Sequence, residues 1–135
     1  MHNLKIYKFS KEKKTMTDLV ACLSTGKGTW GHVSRLIDDG KFSKVYLITN
    51  EFGQENFQKK DNAEFVVINT RQGLKELRDE IYTKLKEKLS THENEIAFNM
   101  VSGEGKEHMA LLAALLKLGI GIRQIALTGN GVEEI

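Results

Sequence analysis

Five short apolar runs, separated by segments of helical spacing, constrain the fold of this chain more than any other feature. They are Leu19-Val20-Ala21-Cys22-Leu23, Lys44 to Thr49 (KVYLIT), Glu64 to Asn69 (EFVVIN), Ile96 to Val101 (IAFNMV) and Ile122 to Leu127 (IRQIAL). Short, largely continuous apolar runs suit strands buried on both faces. Between the first two, Trp30 to Asp39 places Val33, Leu36 and Ile37 on one helical face and stops at Gly40. Leu74, Leu77, Ile81, Leu85 and Leu89 recur at spacings of three and four through a charged segment, the strongest amphipathic helix signal in the chain. A further helix is expected from about Glu107 to Leu118. Asn50 to Lys60 is polar apart from Phe52 and Phe57, and reads as either a short helix or an ordered loop. Strands alternating with helices predict an α/β fold: a mainly parallel sheet of five or six strands, helices on both faces in three layers, right-handed crossovers.

The 135 residues suffice for one core but not comfortably for two, so a single domain is expected over 18–135. Residues 1–17 form a basic N-terminal arm, with Lys5, Lys8, Lys11, Lys13 and Lys14 opposed only by Glu12. The arm reads as a solvated terminus or as a basic flap near a polyanionic ligand, and Lys5-Ile6-Tyr7-Lys8-Phe9 alternates weakly enough to permit an added strand. No stretch approaches the roughly 20 apolar residues of a membrane span, and no secretory signal is evident. Cys22, the single cysteine, excludes an internal disulfide, and the expected compartment is the cytoplasm. A formal charge of +2 is too mild to predict binding to duplex nucleic acid.

Two glycine-containing turns, each between a strand and a helix, are the candidate ligand site. The first is Ser24-Thr25-Gly26-Lys27-Gly28-Thr29 and the second Ser102-Gly103-Glu104-Gly105-Lys106. In an open parallel sheet ligands bind beyond the carboxyl ends of the strands, where glycines let the backbone approach and the following helix offers unpaired N–H groups to an anion. Ser24, Thr25 and Thr29 add hydroxyls and Lys27 adds charge; the plainer alternative is a tight turn with a helix cap at Thr29. Lys106, a cation in the first turn of a helix, is poorly placed without an anion nearby, which favours a phosphate ligand. The P-loop signature fails, because Ala21 stands where its first glycine belongs and Gly28 follows the lysine. A conventional nicotinamide dehydrogenase is disfavoured, since no acidic residue ends the second strand.

Asn50 and Asn99 at strand ends are candidates for reading a base edge or ribose, or for forming turns. His32, His92 and His108 are scattered and Cys22 lies in a strand, so no metal site or cofactor is predicted; His108 is a speculative general base. Trp30 is either a base-stacking or a helix-start packing residue. In Met109 to Leu118 apolar residues cover almost the full helix circumference, so the outer face needs a cover: a second subunit, or else local packing.

At these turns the chain resembles the CARF family, the CRISPR-associated Rossmann-fold domains that bind cyclic oligoadenylates. The resemblance runs from about Leu19 onward through LVACLS entering TGKGTW, through KVYLITNEF, and through NMVSGEGKEHMALLAALL. It implies a Rossmann-like three-layer sandwich, a homodimer with the Met109 to Leu118 helix at its interface, and a two-fold pocket for cyclic tetra-adenylate. Some family members cleave the ring without metal, the ribose 2′-hydroxyl attacking the adjacent phosphodiester to leave a 2′,3′-cyclic phosphate. By resemblance Lys106 stabilises the phosphate, and Ser24 or Thr25 supplies the hydroxyl of the first turn. Ser102 and Gly103 before Glu104 depart from the family's usual Gly-Gly-Thr-Lys form, and the carboxylate of Glu104 sits awkwardly beside a polyanion. No effector domain is expected in the chain, which leaves a ring nuclease, a signal sink or sensor, and a mononucleotide-binding protein as readings.

Overall fold

The computed structural model describes residues 17–23, 26–89 and 94–135. Six strands run β1 (Leu19–Cys22), β2 (Val45–Thr49), β3 (Ala63–Val67), β4 (Glu95–Asn99), β5 (Gly121–Thr128) and β6 (Gly131–Glu134). The helices are α1 (Trp30–Gly40), α2 (Glu51–Asn56), α3 (Leu74–Lys88) and α4 (Gly105–Leu118), with a 3-10 turn Lys27–Thr29 before α1. They build one sheet of order β3-β2-β1-β4-β5-β6. β1 to β5 pair in parallel and β6 pairs antiparallel to β5. The fold is therefore α/β with a six-stranded, mostly parallel sheet.

Alternation along the buried strands divides the core in two. Val20, Cys22, Tyr46, Ile48, Ile96 and Phe98 point to one face, where they meet Leu77, Ile81 and Leu85 of α3 and Ala110, Leu111, Ala114 and Leu115 of α4. Leu19, Ala21, Leu23, Val45, Leu47 and Ala97 point to the other, against Trp30, Val33, Leu36 and Ile37 of α1. The spacing of three and four predicted for Leu77, Ile81 and Leu85 is the α3 stripe on the sheet. Leu74, which opens the series, stays exposed at the helix start.

Two local features differ from the sequence expectation, and one alternative is decided. The end of α1 includes Gly40, and Lys41 takes the left-handed conformation at φ 53°. Gly40 serves packing instead, because a Cβ there would meet the Phe42 ring at 2.2 Å. The segment after β2 is partly helical: Asn50 caps α2, its side chain accepting the Gly53 N–H at 3.0 Å. The sixth strand comes from Gly131–Glu134, beyond the fifth run, whereas the basic arm considered for that part lies outside the described residues. Gly131, at φ 103°, follows the two-residue Gly129-Asn130 turn and pairs with Thr128 in an unbroken β5–β6 register.

Phe98 is among the largest fully buried side chains, at 1% exposure in the middle of the sheet. Phe98→Ala is expected to lower the unfolding free energy by about 3–5 kcal/mol, read as a lower urea midpoint. Leu74→Ala, at an exposed helix start, is expected to change it by no more than about 0.5 kcal/mol.

Candidate functional site

β1 and β4 are neighbours in the sheet, with Leu19 beside Ala97, Val20 beside Phe98 and Ala21 beside Asn99. The chain leaving β1 enters α1 on one face, and the chain leaving β4 enters α4 on the other. Two strands that part in this way open a crevice at their carboxyl ends, the place where open α/β sheets hold ligands. Both glycine turns lie at that reversal. Ser24 and Thr25 fall outside the described residues, so the first turn is described from Gly26 onward.

Gly26 is extended at φ −76° and ψ 135°, and Lys27–Thr29 makes the 3-10 turn that starts α1. Thr29 occupies the cap position, yet its side chain makes no cap hydrogen bond. Gly26, Lys27 and Gly28 are exposed. Lys27 Nζ lies 5.8 Å from the Trp30 ring centroid and 5.9 Å from that of Phe52. Trp30 itself is packed, edge-on to Phe57 at 5.6 Å and tilted against Phe52 at 6.0 Å. The spacing Gly26-x-Gly28-x-x-Gly31 satisfies the glycine part of the dinucleotide fingerprint. The geometry does not use it in the usual way: a Cβ on Gly31 would meet nothing within 4 Å, whereas the third fingerprint glycine allows close helix–strand packing. Asn50, not an acid, directly follows β2, and Glu51 opens α2.

The second turn is more tightly determined. Ser102 is buried and Gly103 has φ 111°, a conformation that favours glycine. A Cβ at Gly103 would also meet His108 Nε2 at 2.9 Å and Glu107 Oε1 at 3.0 Å. His108 Nε2 lies 2.9 Å from the Ser102 carbonyl oxygen; the acceptor can only be the carbonyl, so the imidazole carries its proton on that nitrogen. Glu104 caps α4 reciprocally: its side chain accepts from the backbone of Glu107, and the Glu107 carboxylate accepts the Glu104 N–H at 3.0 Å. The carboxylate that looked awkward beside a polyanion is a helix cap. Gly105 is exposed, with open space where a Cβ would stand.

Lys106 has a protein partner, which the reading of an unmatched cation did not foresee. Its Nζ donates to the Thr70 carbonyl at 3.1 Å and to the Gln72 carbonyl, tying the second turn to the loop between β3 and α3. That loop is held from below. Glu80 Oε1 accepts the Asn69 N–H at 3.0 Å, and Lys84 donates to Glu80 Oε2 at 2.8 Å and to the Val67 carbonyl at 2.6 Å. Burial pushes the Glu80 carboxyl up, but the hydrogen bonds from Lys84, Asn69 and Gln72 and the Lys84 charge outweigh it, leaving the group below its ordinary value.

Beside this loop lies a concavity of about 760 Å³ between the ends of β2 and β3. Asn50, Glu51 and Phe52 line one side and Asn69, Thr70 and Arg71 the other. Of these only Asn50 was a candidate from sequence. Thr70-Arg71 reads as an ordinary polar loop, and only its position across from Phe52 brings it to the site. Cys22, beneath the neighbouring small cleft, is buried; burial and then the Glu107 charge push its thiol up, so it is no nucleophile. Among the described residues no group of three or more metal-ligating side chains comes together.

Asn99 and His32 close the crevice on the β5 side. Asn99 is buried; it donates to the Ile125 carbonyl at 2.8 Å and accepts the Val101 N–H at 3.2 Å. His32 Nε2 accepts the Leu127 N–H at 3.3 Å, with Asn99 Nδ2 3.4 Å away. Burial, then the Arg35 charge, hold the His32 pKa below its ordinary value. The unfolded chain therefore takes up a proton first as pH falls, so this contribution to stability is complete above about pH 6.5 and is lost on acidification towards the lower folded value. The fall in Tm between about pH 7.5 and about pH 5.5 is expected to be smaller in His32→Gln than in the parent chain, measured by circular dichroism.

No known family model matches the chain, and a search of curated proteins returns no match.

Proposed function

We propose that the chain is a CARF-like protein with a Rossmann-like three-layer architecture, binding a cyclic oligoadenylate, most simply cyclic tetra-adenylate, across a homodimer in type III CRISPR defence. The observation that carries this reading is the strand order, which brings two glycine turns resembling the family's to one crevice beside an unpartnered apolar helix face. Met109, Leu112 and Leu116 of α4 are 62%, 37% and 65% exposed, at helical spacings of three and four, and Val101 adjoins the same helix start at 43%. Among the described residues no helix is long and apolar enough to cross a membrane. A second copy packed there would set two pairs of turns about a two-fold axis, matching a ligand of nearly the same symmetry.

Binding without turnover fits the free chain better than ring cleavage does. Cleavage would form a bond from the ribose 2′-oxygen to phosphorus and break the bond from phosphorus to the 5′-oxygen. The proton lost at the 2′-oxygen is balanced by one gained at the 5′-oxygen, with no metal or water consumed. Lys106 would have to leave the Thr70 and Gln72 carbonyls to meet that phosphate, and the Glu104 and Glu107 carboxylates already occupy the start of α4. A sensor or signal-sequestering role follows.

Light scattering is expected to give twice the chain mass, and Leu116→Glu to give a monomer that no longer binds the ring. Cyclic tetra-adenylate at about a hundred times its Kd is expected to add about 2.7 kcal/mol of stability and to be recovered intact after prolonged incubation in EDTA. Linear products ending in 2′,3′-cyclic phosphate would make the protein an enzyme. A larger thermal shift with AMP or ATP than with the ring would favour the mononucleotide reading.

A further inference from the structure

We infer that the groove between the ends of β2 and β3 is a nucleobase subsite, taking a purine nucleotide unit by stacking on Phe52 and by hydrogen bonds from Asn50, Asn69 and Arg71. The inference rests on the nucleotide reading above for adenine as the base, while the site itself is defined by side chains that reading does not assign.

Phe52 is 41% exposed on a helix of only six residues, and its ring forms part of the groove wall. An exposed aromatic face in a polar cleft is suited to a base, because every base has a π-face and stacking withdraws both surfaces from water. The polar groups around it include several donors. Asn50 Oδ1 accepts the Gly53 N–H at 3.0 Å and Asn69 Oδ1 accepts the Arg71 N–H at 3.0 Å. Those bonds orient both amides, and neither Nδ2 has a protein partner among the described residues. The Arg71 guanidinium likewise makes no side-chain bond there. Two amide donors and a guanidinium suit the ring-nitrogen acceptors and the phosphate of a purine nucleotide. The exposed Glu51 carboxylate supplies an acceptor for an exocyclic amine or a ribose hydroxyl. At about 760 Å³ the groove is of the size that small-ligand sites have.

Its position is the stronger point. Each glycine turn places a lysine against a residue that lines it. Lys27 of the first turn lies 5.9 Å from the Phe52 ring centroid, and Lys106 of the second donates to the Thr70 carbonyl on the opposite lip. A nucleotide with its base on Phe52 would thus have one cation near the ring and another bonded to the Thr70 lip. Free amides, a guanidinium and one aromatic face also distinguish the groove from an apolar lipid or peptide cleft.

Calorimetric titration of the full chain with cyclic tetra-adenylate, AMP and GMP, repeated on Phe52→Leu and Arg71→Gln, tests the inference. Both substituted side chains are exposed, and unchanged melting curves would verify folding. Each variant is expected to lose at least tenfold in affinity for the ring and for AMP, with GMP binding more weakly than AMP to the parent chain. If the parent binds the ring and both variants bind it within twofold of the parent, the groove is not the base site and the proposed function stands. If the parent binds AMP but not the ring, and Phe52→Leu abolishes that binding, the subsite stands and the cyclic ligand falls. Equal binding of AMP and GMP overturns the choice of adenine, and no binding of any of the three overturns both.

Discussion

The parallel pairing of β1 with β4 is the constraint from which the rest of the structure follows. These strands are far apart in sequence, and joining them requires the chain to complete β2 and β3 on one side before crossing to the other. Right-handed crossovers then assign α1 to one face and α3 and α4 to the other. The crevice at the carboxyl ends of these strands is thus set by topology before any side chain is considered. Asn99 stands at this point because β4 ends there: buried and bonded to Ile125 and Val101, it holds the chain in the bend that carries it away from β5 and into the second turn.

Electrostatics at the second turn decide between two roles for the same residues. A helix start carries a partial positive charge that either protein carboxylates or a ligand anion can satisfy. In α4 the capping pair of Glu104 and Glu107 already does so, and Lys106 turns its charge towards backbone carbonyls of a different loop. The turn is therefore self-sufficient in the free chain. Such an arrangement suits reversible recognition, in which ligand phosphate competes with internal acceptors, better than a preorganised centre that already directs its donors to developing charge.

The fold was legible because burial and periodicity are properties of local sequence. All five apolar runs became strands within about two residues, and the Leu77, Ile81 and Leu85 stripe met the sheet as its spacing required. The sixth strand was missed because Gly131-Val132-Glu133-Glu134 has little apolar content of its own and pairs only because the turn before it returns the chain to β5. The two glycine turns were found, but the partners of their side chains were not. Nothing local to Glu104 distinguishes a cap from a neighbour of phosphate until Glu107 is seen to reciprocate, and nothing in Lys106 announces Thr70 and Gln72, more than thirty residues earlier. The groove was the least legible part, since its walls come from two loops whose proximity depends on β2–β3 pairing and on Glu80 holding Asn69 in place.

One loop joins the second turn to the groove. Thr70 lines the groove while its carbonyl receives Lys106, and the loop is fixed to α3 through Asn69 and Glu80. A ligand whose phosphate drew Lys106 away would remove one tether of this loop and leave the Glu80 tether in place, so the lip could move without the core being disturbed. In the opposite direction, a base seated against Thr70 and Arg71 would order the loop that holds Lys106 and alter the competition between its carbonyls and phosphate. On the proposed reading the second turn and the groove would be coupled through this loop, and a differential affinity for its two arrangements is all that a binding signal would need to be passed on.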